Sequence, residues 1–208
     1  MYTGIVAGVG TVIAIEKRAG LYTFTIELPK GSASGLAIGA SVAIDGVCLT
    51  VTSFLDHVVT FDVMQQTLAV TTLCTLEVGS LVNIERSARL GDEIGGHPLS
   101  GHVDFVARIV EVQQPENNHA ITFEFPEEYR RYIFLKGYVG VHGASLTIAA
   151  VNAEAHAFTV WLIPETLRLT SFGKKVVGDT INIEIDRTTQ IVVDTVRNYL
   201  SQSENRFK

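Results

Sequence analysis

Apolar positions along this chain recur mostly at a period of two, in short bursts separated by glycine-containing turns, and at a helical period only near the end. Leu21–Leu28 alternates loosely and is rich in β-branched and aromatic residues, as does Ala157–Ile163, a pattern that predicts half-buried strands. Val42–Ile44 and Val139–Val141 run into Asp45-Gly46 and His142-Gly143, after which apolar residues resume at once. That predicts tight turns with glycine supplying a positive φ. Glu77-Val78-Gly79-Ser80 and Val177-Gly178-Asp179 read as turns before the final strand of each half. About six short strands in under 100 residues, with little helix between them, predict a small closed antiparallel barrel, since closure removes exposed sheet edges. Ser87–Ser100, with Gly91, Gly95, Gly96 and Pro98, has a linker composition. From Thr188 to Ser203, Ile191, Val192, Val196, Tyr199 and Leu200 mark one face of a helix. That stripe needs a cover, either the chain's own barrel or copies of the helix from other subunits.

The chain is written twice. A shift of 97 lays Gly4–Pro29 over Gly101–Pro126, with six of 26 positions identical, and lays Gly46–Val51 over Gly143–Ile148. After a two-residue slip, a shift of 99 lays Val58–Glu85 over Ala157–Glu184, with nine of 28 identical. Shared β composition makes Val, Thr and Gly coincide easily, but three blocks in one order point to tandem duplication. The expected architecture is all-β: two tandem six-stranded antiparallel Greek-key barrels and a C-terminal helix. The expected boundaries are 1–97, 98–186 and 187–208.

Composition narrows the function classes. A charge of −6 and 8% aromatics give no footprint for nucleic acid or for an anionic membrane surface. The start, Met1 to Val6, lacks the basic and apolar regions of a signal peptide, and no apolar run reaches membrane-spanning length, so a cytoplasmic location is expected. The two cysteines, Cys48 and Cys74, fit neither a zinc nor a redox spacing.

Three places could carry chemistry. Ser41 accompanies Cys48-Leu49-Thr50, where Cys48 and Thr50 share a strand face. A lone strand cysteine is ordinarily a small buried hydrophobe. Its counterpart, however, is Ser145 in Ser145-Leu146-Thr147, and a core position does not readily trade thiol for hydroxyl. The second place is Gly95-Gly96-His97-Pro98-Leu99-Ser100-Gly101-His102. Imidazole titrates near neutrality, yet His97 in such a loop is expected to be a solvated surface group. His102 replaces Ile5 of the first repeat at a strand start and is the better candidate. The third comprises Asp62-Val63-Met64-Gln65-Gln66-Thr67 and Leu162-Ile163-Pro164-Glu165-Thr166, strand ends expected to serve as turn caps. Lys136 reads alone as a surface lysine, and Asp186 fits a helix N-cap. Neither a Walker A nor a Rossmann fingerprint is present.

Taken together, Thr3-Gly4-Ile5-Val6, Gly46–Val51, Gly95-Gly96-His97, Ser100-Gly101-His102, Lys136-Gly137, Gly143–Thr147 and Ile163–Thr166 resemble the riboflavin synthase family over nearly the whole chain. Tyr2 stands where Phe is usual, and Gln66 where the first half commonly has Glu. The resemblance implies a cofactor-free, metal-free dismutation. Two molecules of 6,7-dimethyl-8-ribityllumazine become riboflavin and 5-amino-6-(D-ribitylamino)uracil by transfer of a four-carbon unit. It implies a homotrimer built through the C-terminal helix, and association with lumazine synthase. It implies that Cys48, Ser41 and Thr50 contact one lumazine, that Ser145, Thr147 and Lys136 contact the other, and that His102 and Asp186 serve proton transfer or ring polarisation. The flanking blocks Gly4–Val6, Asp62–Thr67, Gly101–Val103 and Leu162–Thr166 complete the implied substrate contacts. Fluorescent lumazine carriers share the doubled architecture but depart at the Ser100-Gly101-His102 step, which stands intact here.

Overall fold

The computed structural model describes residues 1–116 and 118–204. The first barrel comprises β1 (Gly8–Arg18), β2 (Leu21–Glu27), β3 (Ser41–Ile44), β4 (Val47–Leu55), β5 (Val58–Met64) and β6 (Leu81–Arg86). The second comprises β7 (Phe105–Gln113), β8 (His119–Glu124), β9 (Tyr138–Val141), β10 (Ala144–Asn152), β11 (Ala157–Leu162) and β12 (Thr180–Ile185). Each closes in the same ring, β1-β2-β5-β4-β3-β6 and β7-β8-β11-β10-β9-β12, all pairs antiparallel. Even the bulges recur at equivalent places: Val12/Ala14 with Ile109/Glu111, and Val51/Ser53 with Ile148/Ala150. Bulges sharpen local twist, which a six-stranded ring needs in order to close.

Alternation fills each barrel. Val47, Leu49 and Val51 of β4 point inward while Cys48 and Thr50 point out. The two interiors hold similar volume in a traded arrangement. In the first, Phe24 pairs across strands with Phe61, and Ile26 with Val59. In the second the aromatic pair is Phe123 with Phe158 and the aliphatic pair is Ile121 with Val160. All eight are at most 1% exposed. Burial of such side chains stabilises by about 1.5–3 kcal/mol each, and the two cores are filled by different residues at matched positions.

The β3–β4 and β9–β10 turns have positive φ at both central residues, Asp45 (46°) and Gly46 (79°), His142 (43°) and Gly143 (81°). This is the I′ turn that suits strand twist. The tips of the two turns meet. A Cβ on Gly46 would come within 2.6 Å of the Gly143 nitrogen, so only glycine permits that approach. Two equivalent asparagines clasp the barrels around this point. Asn83 donates to the His142 carbonyl (3.0 Å) and accepts from the Ser171 N–H (2.7 Å). Asn182 donates to the Asp45 carbonyl (2.9 Å) and accepts from the Thr72 N–H (2.8 Å).

Three α-helices and three 3-10 turns, one of them Glu127–Tyr132, complete the described elements. The strand ends expected to be turn caps instead open short helices, α1 (Gln65–Val70) and α2 (Pro164–Leu169), each followed by a 3-10 turn. The capping falls four residues later than Thr67 and Thr166. Thr71 and Thr170 each accept from a following N–H and donate back to the carbonyls of Thr67 and Thr166. The final helix, α3 (Arg187–Glu204), agrees with its periodicity. Val193 packs on the second core and the Tyr132 hydroxyl donates to Asp194 (2.6 Å). Ile191, Val192, Val196, Tyr199 and Leu200 nevertheless remain 51–72% exposed. No described helix is long and apolar enough to cross a membrane.

Candidate active site

Each barrel carries a pocket on its outer surface, and no residue lines both. The first, of about 230 Å³, is bounded by Val47, Cys48, Gln66, Thr67, Val70, Thr71, Gly101, His102 and Val103. The second, of about 210 Å³, is bounded by Gly4, Ile5, Val6, Ala144, Ser145, Leu146, Ile163, Glu165, Thr166, Leu169 and Thr170. The floors correspond position for position: Cys48 with Ser145, Thr67 with Thr166, Thr71 with Thr170. The walls are exchanged. The lead-in segment of the second barrel, Gly101-His102-Val103, closes the first pocket, and that of the first barrel, Gly4-Ile5-Val6, closes the second.

Backbone hydrogen bonds hold this exchange. The Cys48 N–H donates to the Gly101 carbonyl and the Ser145 N–H to the Gly4 carbonyl, both at 2.8 Å. Gly4 and Gly101 have φ of 76° and 78°. A Cβ on Gly101 would stand 2.6 Å from the Cys48 Cβ, and one on Gly4 would collide with Ser145. Two equivalent buried carboxylates fix each lead-in. Glu85 accepts from the Thr3 N–H (2.7 Å), the Thr3 hydroxyl (2.9 Å) and the Gly4 N–H (3.1 Å). Glu184 accepts from the Ser100 N–H and hydroxyl (both 2.6 Å) and the Gly101 N–H (2.9 Å). Tyr2 and Leu99 then pair antiparallel, each the other's counterpart in the repeat, through N–H···O bonds of 2.8 and 3.0 Å.

The polar atom at each floor is engaged from the strap side. The Tyr2 hydroxyl donates to Cys48 Sγ at 3.1 Å. Burial first, and then the Cys48 thiol, push the phenol far above its ordinary pKa, so Tyr2 stays a donor. Ser145 Oγ accepts the His97 N–H (3.1 Å) and shares a hydrogen with His97 Nδ1 at 2.6 Å. His97 is 4% exposed and stacks on Tyr138 at 5.1 Å between centroids, so the expected solvated loop histidine is corrected. Gly96 approaches Ser145 too closely for any Cβ, and that approach carries the next residue inward. Burial lowers the His97 pKa, with Asp186 acting the other way, so the ring is neutral near pH 7.

Residues 3–87 and 100–186 each match the family model "Lumazine binding domain". The riboflavin synthase of Escherichia coli (strain K12) is 45% identical over 206 residues, covering 99% of this chain and 96% of the relative. That of Chlamydia pneumoniae is 41% identical over 203 residues, covering 98% of each. The chain belongs to the riboflavin synthase family. Among solved structures, LumP complexed with riboflavin superposes with a TM-score of 0.83 at 26% identity, covering 89% of this chain and 99% of LumP. LumP complexed with 6,7-dimethyl-8-(1'-D-ribityl) lumazine gives 0.80 at 25% identity with the same coverage.

In this member of the riboflavin synthase family, the residues singled out from sequence divide by location. Gly4, Ile5, Val6, Cys48, Gln66, Thr67, Gly101, His102, Val103, Ser145, Leu146, Ile163, Glu165 and Thr166 line the two pockets. Thr50 and Thr147 are exposed on the outer faces that carry Cys48 and Ser145, and Ser41 pairs with Thr50 from β3. Lys136 is exposed with φ of 65°, outside either pocket. Asp62 is exposed and accepts from the Thr23 hydroxyl, while Met64, Gln65 and Pro164 lie at the helix starts. Leu49, Val63 and Leu162 are at most 5% exposed and belong to the cores, outside both pockets. Asp186 caps α3, accepting from the Thr189 hydroxyl (2.6 Å) and from the N–H groups of Thr189 (2.9 Å) and Thr188 (3.3 Å). Burial pushes its carboxyl up, and these bonds together with His97 outweigh burial and bring it below the ordinary value.

Several positions that hold the two pockets together were not legible as such in the sequence. Glu85 and Glu184 fall on either side of the alignment as identical residues in the Asn-Ile-Glu block, a signal that was present but silent on role. Thr71 and Thr170 carried the same kind of signal as an identical pair, His97 stood in the Gly-Gly-His mark but read as a surface group, and Tyr2 gave no sign of its role. Arg187 joins them: it donates to the His102 carbonyl (2.7 Å) and to Asp104 (2.8 Å), tying the start of α3 to the wall of the first pocket.

Proposed function

We propose that this chain is a riboflavin synthase that stacks two 6,7-dimethyl-8-ribityllumazines, one in each kind of pocket, and transfers a four-carbon unit between them. The observation that carries the reading is the pair of equivalent pockets, each with a thiol or hydroxyl at one strand position beneath a Gly-x-Val wall. A reaction between two identical molecules suits a doubled site. Atoms and electrons balance within the pair, since one lumazine surrenders four carbons to become the ribitylaminouracil and the other gains them to become riboflavin. Holding both rings in register supplies up to about 7–11 kcal/mol through translational and rotational freedom already lost on binding.

The first pocket offers Cys48, His102 and Thr67 to one lumazine, and the second offers Ser145, Thr166 and Glu165 to the other. The 7-methyl proton is acidic because its carbanion delocalises into the ring, so a weak base suffices. His102, exposed at the pocket wall, is the candidate for that transfer. Asp186, occupied by the α3 cap, acts as a positioning group near His97. Addition at C7 falls to Cys48, Ser145 or water.

Each cavity is smaller than the roughly 300 Å³ at which ligand pockets begin, and both open on outer faces. The reaction would then lie between subunits, the first pocket of one against the second pocket of another, and Ser41, Thr50, Lys136 and Thr147, which line neither pocket, would meet substrate only there. A homotrimer joined through the exposed apolar stripe of α3 would bring these faces together. Association with lumazine synthase would supply substrate locally. Incubation with the lumazine tests the activity: riboflavin absorbance should rise as the lumazine falls in a 2:1 ratio. A stable bound lumazine spectrum without turnover would make the chain a carrier instead.

A further inference from the structure

A third cavity, of about 460 Å³, lies away from both lumazine pockets, on the seam where the barrels meet. It lies beside the meeting turn tips and is lined from both repeats at equivalent positions: Asp45 with His142, Thr72 with Ser171, and Lys174 and Lys175 from the second repeat alone. Three side-chain atoms of these lining residues are themselves buried and have no hydrogen-bond partner among the described residues: Thr72 Oγ1, Ser171 Oγ and His142 Nε2. The state of the imidazole follows from its other nitrogen. His142 Nδ1 accepts the Asn182 N–H at 3.0 Å, so the proton of the neutral ring is on Nε2, and that N–H is without an acceptor. Asp45 Oδ2 stands 4.0 Å away, beyond hydrogen-bond distance.

Buried donors without acceptors are costly, and native proteins rarely leave several around one space. Here the residues that carry one such N–H and two such hydroxyls line a chamber together with Lys174 and Lys175. The opposing acids are partly occupied: Asp45 Oδ1 accepts the Asn83 N–H (2.8 Å) and Asp179 Oδ2 the Val176 N–H (3.0 Å). We infer that this seam binds a phosphate-class oxyanion, with Lys174 and Lys175 supplying charge and Thr72, Ser171 and His142 donating to its oxygens. A P–OH of the same anion has an acceptor in Asp45, which makes the acid at the wall compatible with the ligand. The asymmetry of the repeat supports a ligand over a packing defect. Thr75 and Leu76 occupy the positions equivalent to Lys174 and Lys175, so the cations belong to one half only.

Isothermal titration of the full chain with inorganic phosphate, at ionic strength held constant with chloride, tests the inference. Saturable binding of one phosphate per chain is expected. It should weaken at least tenfold in Lys174→Met/Lys175→Met, two positions open enough to solvent to leave folding intact, and severalfold in Ser171→Ala. Methyl phosphate as a second titrant separates the sources: equal binding marks a phosphoryl group on a larger molecule as admissible, and exclusion marks free phosphate. Saturating riboflavin should not displace the anion. Absence of saturation, identical curves in wild type and variants, or displacement by riboflavin would each overturn the site.

Discussion

At Cys48 and Ser145 the two halves present different chemistry on matched backbone. Cys48→Ala and Ser145→Ala are expected to retain lumazine binding, followed by quenching of ligand fluorescence, while turnover falls at least tenfold in whichever variant has lost the adding group. Unchanged turnover in both would assign the addition to water. The glycines above them give a sharper prediction. Gly101→Ala forces a positive φ on alanine, at a cost of about 1–2 kcal/mol, and drives a methyl into Cys48. It should empty the first pocket and spare the second, whereas Gly4→Ala should do the reverse. Titration with a substrate analogue, scoring two sites per chain, checks the pattern, and loss of both sites from either variant would refute it. Cys48, Ser145 and the glycines were legible because duplication displays each position twice. Tyr2 and His97 were not, because their partners lie 46 and 48 residues away and neither recurs in the other repeat.

Strands announced themselves by alternation and the last helix by its stripe, but α1 and α2 did not. Six residues give under two helical turns, too few for a period to show, and the adjoining strands read on into them. Those helices and the 3-10 turns after them place Thr67, Thr71, Thr166 and Thr170 in the pocket floors. Helix α3 has two duties at different ends. Arg187 braces the His102 backbone, and the distal stripe from Ile191 to Leu200 lies open. Truncation after Asp186 is thus expected to yield a monomer by sedimentation, with turnover reduced at least a hundredfold. Arg187→Ala is expected to preserve assembly and lower turnover more modestly. A trimeric truncated chain would remove α3 from the interface.

Across the whole molecule, the duplication was readable but the relation between its copies was not. The seam that joins them carries an opposed pair of titrations. Burial pushes Asp45 up to about 7 from an ordinary 3.8, against the Asn83 N–H and Lys175. Between those values the folded chain keeps a proton the unfolded chain has released, so this term lowers stability as pH rises. Burial, then Lys175, holds His142 well below 6.5, so the unfolded chain takes up a proton that the folded chain refuses, and stability falls as pH drops. The slopes offset one another in the wild type. Asp45→Asn should unmask the histidine, and its stability relative to wild type should grow between pH 4 and 7 by at most about 4 kcal/mol. Urea unfolding across that range measures it, and a pH-independent difference would show Asp45 ionised in the folded chain.

The crossing of the lead-in segments left no trace in periodicity, because a short extended stretch looks the same whichever barrel it covers. Its consequence reaches back to the origin of the gene. Two unfused copies of a half-length ancestor, each lending its first residues to the other, would have met in the same geometry, a domain-swapped homodimer. Fusion would then have required only a connector and would have left each half free to diverge, one with a thiol and the other with a hydroxyl.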